Sequence, residues 1–147
     1  MSLEIRLPLP ADEAAWRMLW AGYNHFYRAE VAADVTTALW QKLLTPSADI
    51  TALIAAQNDA PIGFAHILFH PSTWSLQPSC YLEDLYVAPA ARGTNAARAL
   101  IEACADAARS RGAERLYWHT QEFNAPARSL YDSVAQLTSF IVYRKAL

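Results

Sequence analysis

Apolar and polar residues follow two different periods along the chain, and the period indicates whether a segment is a strand or a helix. Alternation and short apolar runs between turn residues predict strands at residues 3–7, 50–57, 62–70, 80–87, 115–120 and 139–144. Apolar residues spaced three and four apart predict helices from Asp12 to about residue 27, and at residues 35–44, 95–111 and 125–134. The predicted order is therefore β-α-α-β-β-β-α-β-α-β.

In two of these helices the apolar residues are spaced so that they share one face. We place Ala15, Met18, Leu19 and Gly22 on the apolar side of the first helix. The face of the helix at 95–111 is the clearest in the chain, and Gly112 follows where a helix C-terminal glycine belongs. Its apolar positions are Ala97, Leu100, Ile101, Cys104, Ala107 and Ala108.

The order of the elements predicts the fold class. The runs at 50–57 and 62–70 are separated by Asn-Asp-Ala-Pro, which indicates a hairpin. The strand at 80–87, the helix at 95–111 and the strand at 115–120 predict a parallel pair with a right-handed crossover. With 147 residues, the chain suits one α/β domain over residues 1–147.

Composition narrows the classes of function. Hydrophobic residues make up 54% and charged residues 18%, so the chain has enough apolar surface to form a core. The net charge of -2 comes without a basic stripe, so we expect no nucleic-acid partner. We find no signal peptide and no bilayer-spanning apolar run, and we expect a cytoplasmic protein with no membrane partner. Cys80 and Cys104 fit no metal-ligand pattern, so we expect two buried thiols and no metal.

The segment from residue 81 to residue 100 is the most informative for chemistry. It combines a strand, a short turn of small residues and the start of a helix. The free N–H groups and positive dipole end of a helix N-terminus bind phosphate. A plain structural turn explains the same pattern about as well, so further motifs must decide between the two interpretations.

Two motifs resemble those of the GNAT acetyltransferases. Residues 92–97, Arg-Gly-Thr-Asn-Ala-Ala, follow a strand ending in Val-Ala-Pro and resemble the family's Gln/Arg-x-x-Gly-x-Gly/Ala signature. Residues 124–131 resemble its later Asn-x-x-Ala-x-x-x-Tyr motif. Asn95 replaces the first motif glycine, and asparagine tolerates a left-handed backbone better than most residues. Residues 81–84, 118–120 and 23–27 resemble the branch with polyamine, yeast histone and D-amino-acid acetyltransferases.

The resemblance implies a fold and an activity. The expected fold is a mixed, strongly twisted sheet, split between the two central parallel strands at 80–87 and 115–120, with acetyl-CoA in the split. The expected reaction moves the acetyl group to a primary amine of a small amine, polyamine or amino acid, by direct attack in a ternary complex. Protein or peptide acetylation, and a non-catalytic CoA-binding or dimerisation module, remain as alternatives.

The resemblance also implies roles for individual residues. The general base would be Glu83, and the general acid Tyr131. Asp84 would contact a cationic substrate, although strand alternation places it opposite Glu83 unless a bulge intervenes. The residues themselves suggest an aromatic substrate wall of Tyr23, Phe26, Tyr27, Trp74 and Trp118, although burial in the core explains any single one of them better. Cofactor contacts would come from Leu85, Tyr86, Val87, Arg92, Gly93, Thr94, Asn95, Ala96, Ala97, Asn124 and Tyr131.

A homodimer is a further expectation. Relatives usually close with two strands after the last helix, whereas the pattern here predicts one, at residues 139–144. An uncovered sheet edge favours pairing with a second copy, as dimeric relatives do with their C-terminal strands.

Overall fold

The sheet of the computed structural model, which describes residues 2–147, has five strands in the order β1-β2-β3-β4-β5. The strands are β1 (Leu3–Arg6), β2 (Ile50–Gln57), β3 (Ala60–His70), β4 (Ser79–Val87) and β5 (Arg115–Tyr117). The first four pair antiparallel, and β5 pairs parallel to β4. The predicted hairpin and the predicted mixed α/β sheet are both confirmed.

Four helices cover the two faces of this sheet. They are α1 (Glu13–Phe26), α2 (Ala33–Leu43), α3 (Ala96–Ser110) and α4 (Ala125–Val134). One core layer joins α1 and α2 to Phe64 and its neighbours on the sheet. The other joins α3 to Ala65, Ile67 and Leu82. Leu100, Ile101, Cys104 and Ala108 of α3 are buried there, as the helical period predicts.

The apolar face predicted for α1 was wrong in part. Met18 is 77% exposed, and the buried residues are Trp16, Leu19 and Trp20. The two tryptophans, four residues apart, share a face with Leu19 and bury more apolar area than Met18 and Ala15 would. As a result, α1 presents an aromatic surface to the middle of the sheet.

The last predicted strand is absent from the structure. Residues 136–147 contain no strand and are exposed, and β5 ends at Tyr117 rather than at residue 120. A strand exists only where a neighbour supplies ladder hydrogen bonds, and alternation alone provides no such neighbour. In consequence β5 is an edge strand instead of a central one.

Both cysteines are free and buried, which confirms the prediction of two buried thiols. Within residues 2–147, no helix combines the length and the apolar character needed to cross a bilayer. The cytoplasmic location stays a prediction.

Candidate active site

A split opens between β4 and β5. β4 has nine residues and β5 has three, and their pairing ends where Tyr81 meets Tyr117. Beyond Tyr81, no described residue pairs with the β5-facing edge of β4. The predicted cofactor segment, Leu85 to Val87, lies in this unpaired part. Its free backbone groups can pair with an extended ligand as a strand would.

The turn between β4 and α3 exposes a group of backbone N–H donors. Gly93 and Asn95 have φ angles of 86° and 69°, and Asn95 comes directly before α3. The first helical hydrogen bond runs from Ala99 N–H to the Asn95 carbonyl at 3.0 Å. Among the described residues, the N–H groups of residues 93–98 have no acceptor, and no side chain caps the helix. Such a turn fits a pyrophosphate, because its donors and the helix dipole are free for an anion.

The space beside this turn is open. A Cβ atom built on Gly93 would meet nothing within 4 Å. The Thr94 side chain stays close to the turn, since its hydroxyl donates to the Ala91 carbonyl at 2.5 Å. The residues at the turn therefore fit the pyrophosphate of a coenzyme A molecule.

A β-bulge in β4 rearranges the two acidic residues. In the pairing of β3 with β4, His66 lies opposite Asp84 and Ile67 lies opposite Leu82, so Glu83 has no partner. Leu82 packs on the α3 side of the sheet, whereas Asp84 contacts His66 on the α1 side. The extra residue interrupts the alternation, so Glu83 and Asp84 both face the α1 side.

The environment of Glu83 favours its neutral form more than water does. Partial burial, and next the charge of Asp84, raise the pKa of Glu83. Tyr81 lies beside Glu83, and burial together with the Glu83 charge raises the pKa of Tyr81 to about 12. The Tyr81 hydroxyl is 2.9 Å from Nδ1 of His119, which is exposed. A proton accepted by Glu83 thus has polar neighbours that lead to solvent.

Asp84 sits deeper than Glu83. Its side chain is 15% exposed, and its Oδ2 lies 2.9 Å from Nδ1 of His66, which is 1% exposed. The sequence predicts only a surface or structural role for His66, because the contact depends on the register of β3 and the bulge in β4. A single histidine inside the apolar run 62–69 was the available signal.

Three side chains of the predicted aromatic wall lie next to one another. Tyr23 and Tyr27 have ring centroids 5.0 Å apart, and Phe26 is 5.1 Å from Tyr27. Burial and the nearby Asp84 charge raise the pKa of Tyr23 and of Tyr27, so both phenols lie close to that carboxylate. Trp74 does not belong to the wall: it is 93% exposed on the loop between β3 and β4.

Tyr131 lies on α4, across the split from β4. Its ring is 5.4 Å from that of Trp118, which it meets edge-on. Burial, and next the proximity of Tyr27, raise the pKa of Tyr131 to about 12. The phenol therefore stays protonated across the neutral pH range. Asn124 comes directly before α4, and its side chain makes no capping hydrogen bond.

These features together define a class of protein. A mixed sheet split beside a parallel pair, a phosphate-binding turn at a helix start and acidic residues at the split are the parts of a CoA-dependent acetyltransferase. A family model described as "Acetyltransferase (GNAT) family" matches residues 13–135. The chain belongs to this family, whose acetyl donor is acetyl-CoA, and it is an acetyl-transferring enzyme.

Similar proteins agree with this assignment. The D-amino-acid N-acetyltransferase HPA3 of Saccharomyces cerevisiae is 33% identical over 138 residues, covering 92% of this chain and 86% of that one. The uncharacterized N-acetyltransferase YhfO of Bacillus subtilis is 33% identical over 144 residues, covering 96% and 95%. The structure of AAC(6')-Iy with the bisubstrate analogue CoA-S-monomethyl-acetylneamine superposes with a TM-score of 0.84 at 20% identity, over the whole of both chains.

Proposed function

We propose that this enzyme acetylates the primary amine of a small cationic molecule, a polyamine or an amino acid, by direct attack in a ternary complex. The observation that carries the proposal is the bulge at Glu83. It brings two carboxylates to one face beside the unpaired edge of β4, next to Tyr23 and Tyr27. Carboxylates and aromatic faces both attract a cationic amine. The D-amino-acid acetyltransferase among the relatives supports an amine of small size.

The donor would be held by backbone groups. The free N–H groups among residues 93–97 would bind its pyrophosphate, whereas the Arg92 N–H already donates to the Pro89 carbonyl. The β5-facing edge of Leu85, Tyr86 and Val87 would pair with its pantetheine arm. The side chain of Asn124 contacts the same arm. When bound, acetyl-CoA supplies an acetyl thioester. The N–H of Leu85 then donates to the oxygen that becomes negative during the transfer.

Two residues would move protons. Attack requires a neutral amine, and Glu83 removes the proton, through a water molecule, because its raised pKa lies closer to neutrality than that of a free glutamate. The departing thiolate requires a proton, and Tyr131, which stays protonated, donates one from its hydroxyl. Cys80 and Cys104 are buried in the core, so neither is placed to form a covalent acyl intermediate.

Substrate contacts would come from the opposite wall. Asp84 provides a fixed negative charge, and Tyr23, Phe26 and Tyr27 provide aromatic faces at the end of α1. Trp118 limits the pocket on the α4 side through its contact with Tyr131. This arrangement suits an amine with a second cationic group.

The direct test is a screen for CoA release. The purified protein is incubated with acetyl-CoA and a panel of D- and L-amino acids, diamines, polyamines and a basic peptide, and free thiol is measured. We expect turnover with a small cationic amine and micromolar binding of acetyl-CoA by calorimetry. Turnover with the basic peptide alone would overturn the proposed small-amine substrate and favour protein or peptide acetylation. Binding without turnover on any amine would support a non-catalytic CoA-binding module.

A homodimer is the second part of the proposal. Six large apolar side chains are exposed within the last eleven residues, and the outer edge of β5 is unpaired within residues 2–147. These side chains are Leu137, Phe140, Ile141, Val142, Tyr143 and Leu147. An exposed apolar segment and an open sheet edge are complementary, and a second copy offers both.

The dimer is tested by light scattering on the full chain and on a chain ending at Thr138. We expect the full chain to be a dimer and the shortened chain a monomer. Replacing Lys145 by alanine is the control, because it alters the same segment without removing its apolar side chains. A monomeric full chain would overturn the proposal.

A further inference from the structure

Three side chains form a buried hydrogen-bonded row that ends at the bulge in β4. Trp16 of α1 donates its indole N–H to Nε2 of His66 at 3.2 Å, and Nδ1 of His66 lies 2.9 Å from Oδ2 of Asp84. Trp16 is fully buried, and His66 is 1% exposed. Asp84, at the end of the row, is the most exposed member, with 15% of its side chain exposed.

The direction of the row follows from the chemistry of tryptophan. An indole N–H only donates, so Nε2 of His66 accepts and carries no proton. The single proton of the neutral imidazole then lies on Nδ1 and is donated to the Asp84 carboxylate. A second proton on Nε2 would clash with the indole hydrogen, so the protons of the row have only one arrangement. Both nitrogens of His66 are then engaged in hydrogen bonds.

Packing alone does not require a histidine at this position. The ring of His66 lies 4.5 Å from that of Phe64 and 5.4 Å from that of Trp20, inside an aromatic core. An apolar side chain would fill this space without polar atoms to satisfy, because a buried polar group costs free energy unless it is hydrogen-bonded. The polar atoms of His66 therefore serve the group to which they bond, Asp84.

The two carboxylates at the bulge, Glu83 and Asp84, differ in the side chains that contact them from the protein interior. Behind Glu83 are Tyr81 and the exposed His119, which can pass a proton to solvent. Behind Asp84 are His66 and Trp16, and the row ends at an indole that cannot accept a proton. The row behind Asp84 therefore fixes the orientation of its carboxylate and offers no path for a proton.

We propose that His66, oriented by Trp16, is a positioning residue that fixes the Asp84 carboxylate as the anionic contact for the cationic group of the substrate. This inference rests on the proposed function, and it separates the two neighbouring carboxylates: Asp84 binds the amine, and Glu83 removes its proton. His66 touches neither substrate nor cofactor, and it acts through Asp84.

Two variants of the same residue test the role. In His66→Asn, the amide N–H occupies about the place of Nδ1 and can still donate to Asp84. In His66→Gln, the polar atoms lie at the position of Nε2, facing Trp16. We expect His66→Gln to raise KM for the amine about tenfold or more, because a hydrogen bond to a charged group is lost. We expect His66→Asn to stay close to wild type, with kcat and acetyl-CoA affinity little changed in both.

The kinetic outcome is decisive when both variants unfold at similar temperatures. Equal rises in KM for the two variants, or a fall in kcat alone, would overturn the positioning role. The tautomer provides a measurement that needs neither a variant nor an active preparation. Nitrogen-15 NMR of the wild-type protein should show the proton of His66 on Nδ1, and a proton on Nε2 would overturn the inference even where the amine screen succeeds.

Discussion

A Cβ atom on Gly22 of α1 would stand 2.6 Å from the hydroxyl oxygen of Tyr86 on β4. Real Cβ atoms do not approach an oxygen so closely, so the missing side chain lets the helix lie directly against the tyrosine. The ring of Tyr86 also packs on Tyr23 and Phe64, at 6.0 and 6.1 Å between centroids. This contact brings α1 close to the unpaired part of β4.

Gly22→Ala should therefore destabilise the protein although alanine is the better helix former. The helix would gain about 1 kcal/mol from propensity, while forcing a methyl group against Tyr86 costs about 1–3 kcal/mol. We expect a net fall in the free energy of unfolding, measured by urea titration. The same substitution in a Tyr86→Phe background is the control, since the nearest ring atom would then be Cζ at 3.2 Å. An equal cost in both backgrounds would refute the contact.

A second prediction concerns the paired ions that join β1 to the start of α1. Arg6 donates from both terminal nitrogens to Asp12, at 2.7 and 3.0 Å, and the Leu9 N–H donates to the same carboxylate at 2.7 Å. Asp12 is 5% exposed. Asp12→Asn leaves Arg6 without its counter-charge, so we expect a loss of about 3 kcal/mol at pH 7. Asp106→Asn, which removes an exposed pair with Arg109, should change stability by less than about 1 kcal/mol.

The pH dependence of this pair has a definite sign. Hydrogen bonding to Arg6 lowers the pKa of Asp12 in the folded chain below its unfolded value of roughly 3.9. The stabilisation is therefore complete above that value and is lost as the pH falls through the folded pKa. Urea titrations at pH 7, 5 and 3 should show the difference between wild type and Asp12→Asn shrinking only at pH 3. A difference that is constant down to pH 3 would contradict the ionic origin.

The sequence predicts the scaffold of the site better than its acidic chemistry. Local signals suffice for the turn at Gly93 and Asn95, because its residues are neighbours in the chain. The split between β4 and β5 was expected from the resemblance to the family, and its opening directly after Tyr81 was not predicted, because β5 ends at Tyr117 and not at residue 120. The side on which Asp84 lies depends on the bulge, which is a property of the pairing between two strands. The contact of Trp16 with His66 joins residues 50 positions apart, and no local pattern reports such a pairing.

Asn95 provides a third prediction, which concerns the phosphate-binding turn. Its φ of 69° is left-handed, a conformation that costs most residues about 1–2 kcal/mol and glycine almost nothing. Asn95→Ala should lower the free energy of unfolding by about 1 kcal/mol and weaken acetyl-CoA binding, because the amides of the turn lose their arrangement. Asn95→Gly should keep or improve both. The measurements are urea titration and calorimetry, and stronger acetyl-CoA binding by Asn95→Ala than by Asn95→Gly would contradict the reasoning.

The last prediction separates chemistry from binding at Tyr131. Tyr131→Phe removes the hydroxyl and keeps the ring contact with Trp118. If the phenol protonates the leaving thiolate, kcat should fall about 100-fold, while the acetyl-CoA dissociation constant changes little. Because burial raises the pKa of Tyr131 to about 12, wild-type activity should not decline through ionisation of this group at moderately alkaline pH.

Tyr143→Phe is the matched control for Tyr131→Phe. It removes a phenol hydroxyl from the segment after α4, where the side chain is 90% exposed. We expect this variant to keep the kcat of the wild type, so that a loss seen only in Tyr131→Phe reports the acid and not a general effect of removing a phenol. If Tyr131→Phe kept full turnover, the proton on the thiol would have to come from solvent, and Tyr131 would be a packing residue of α4.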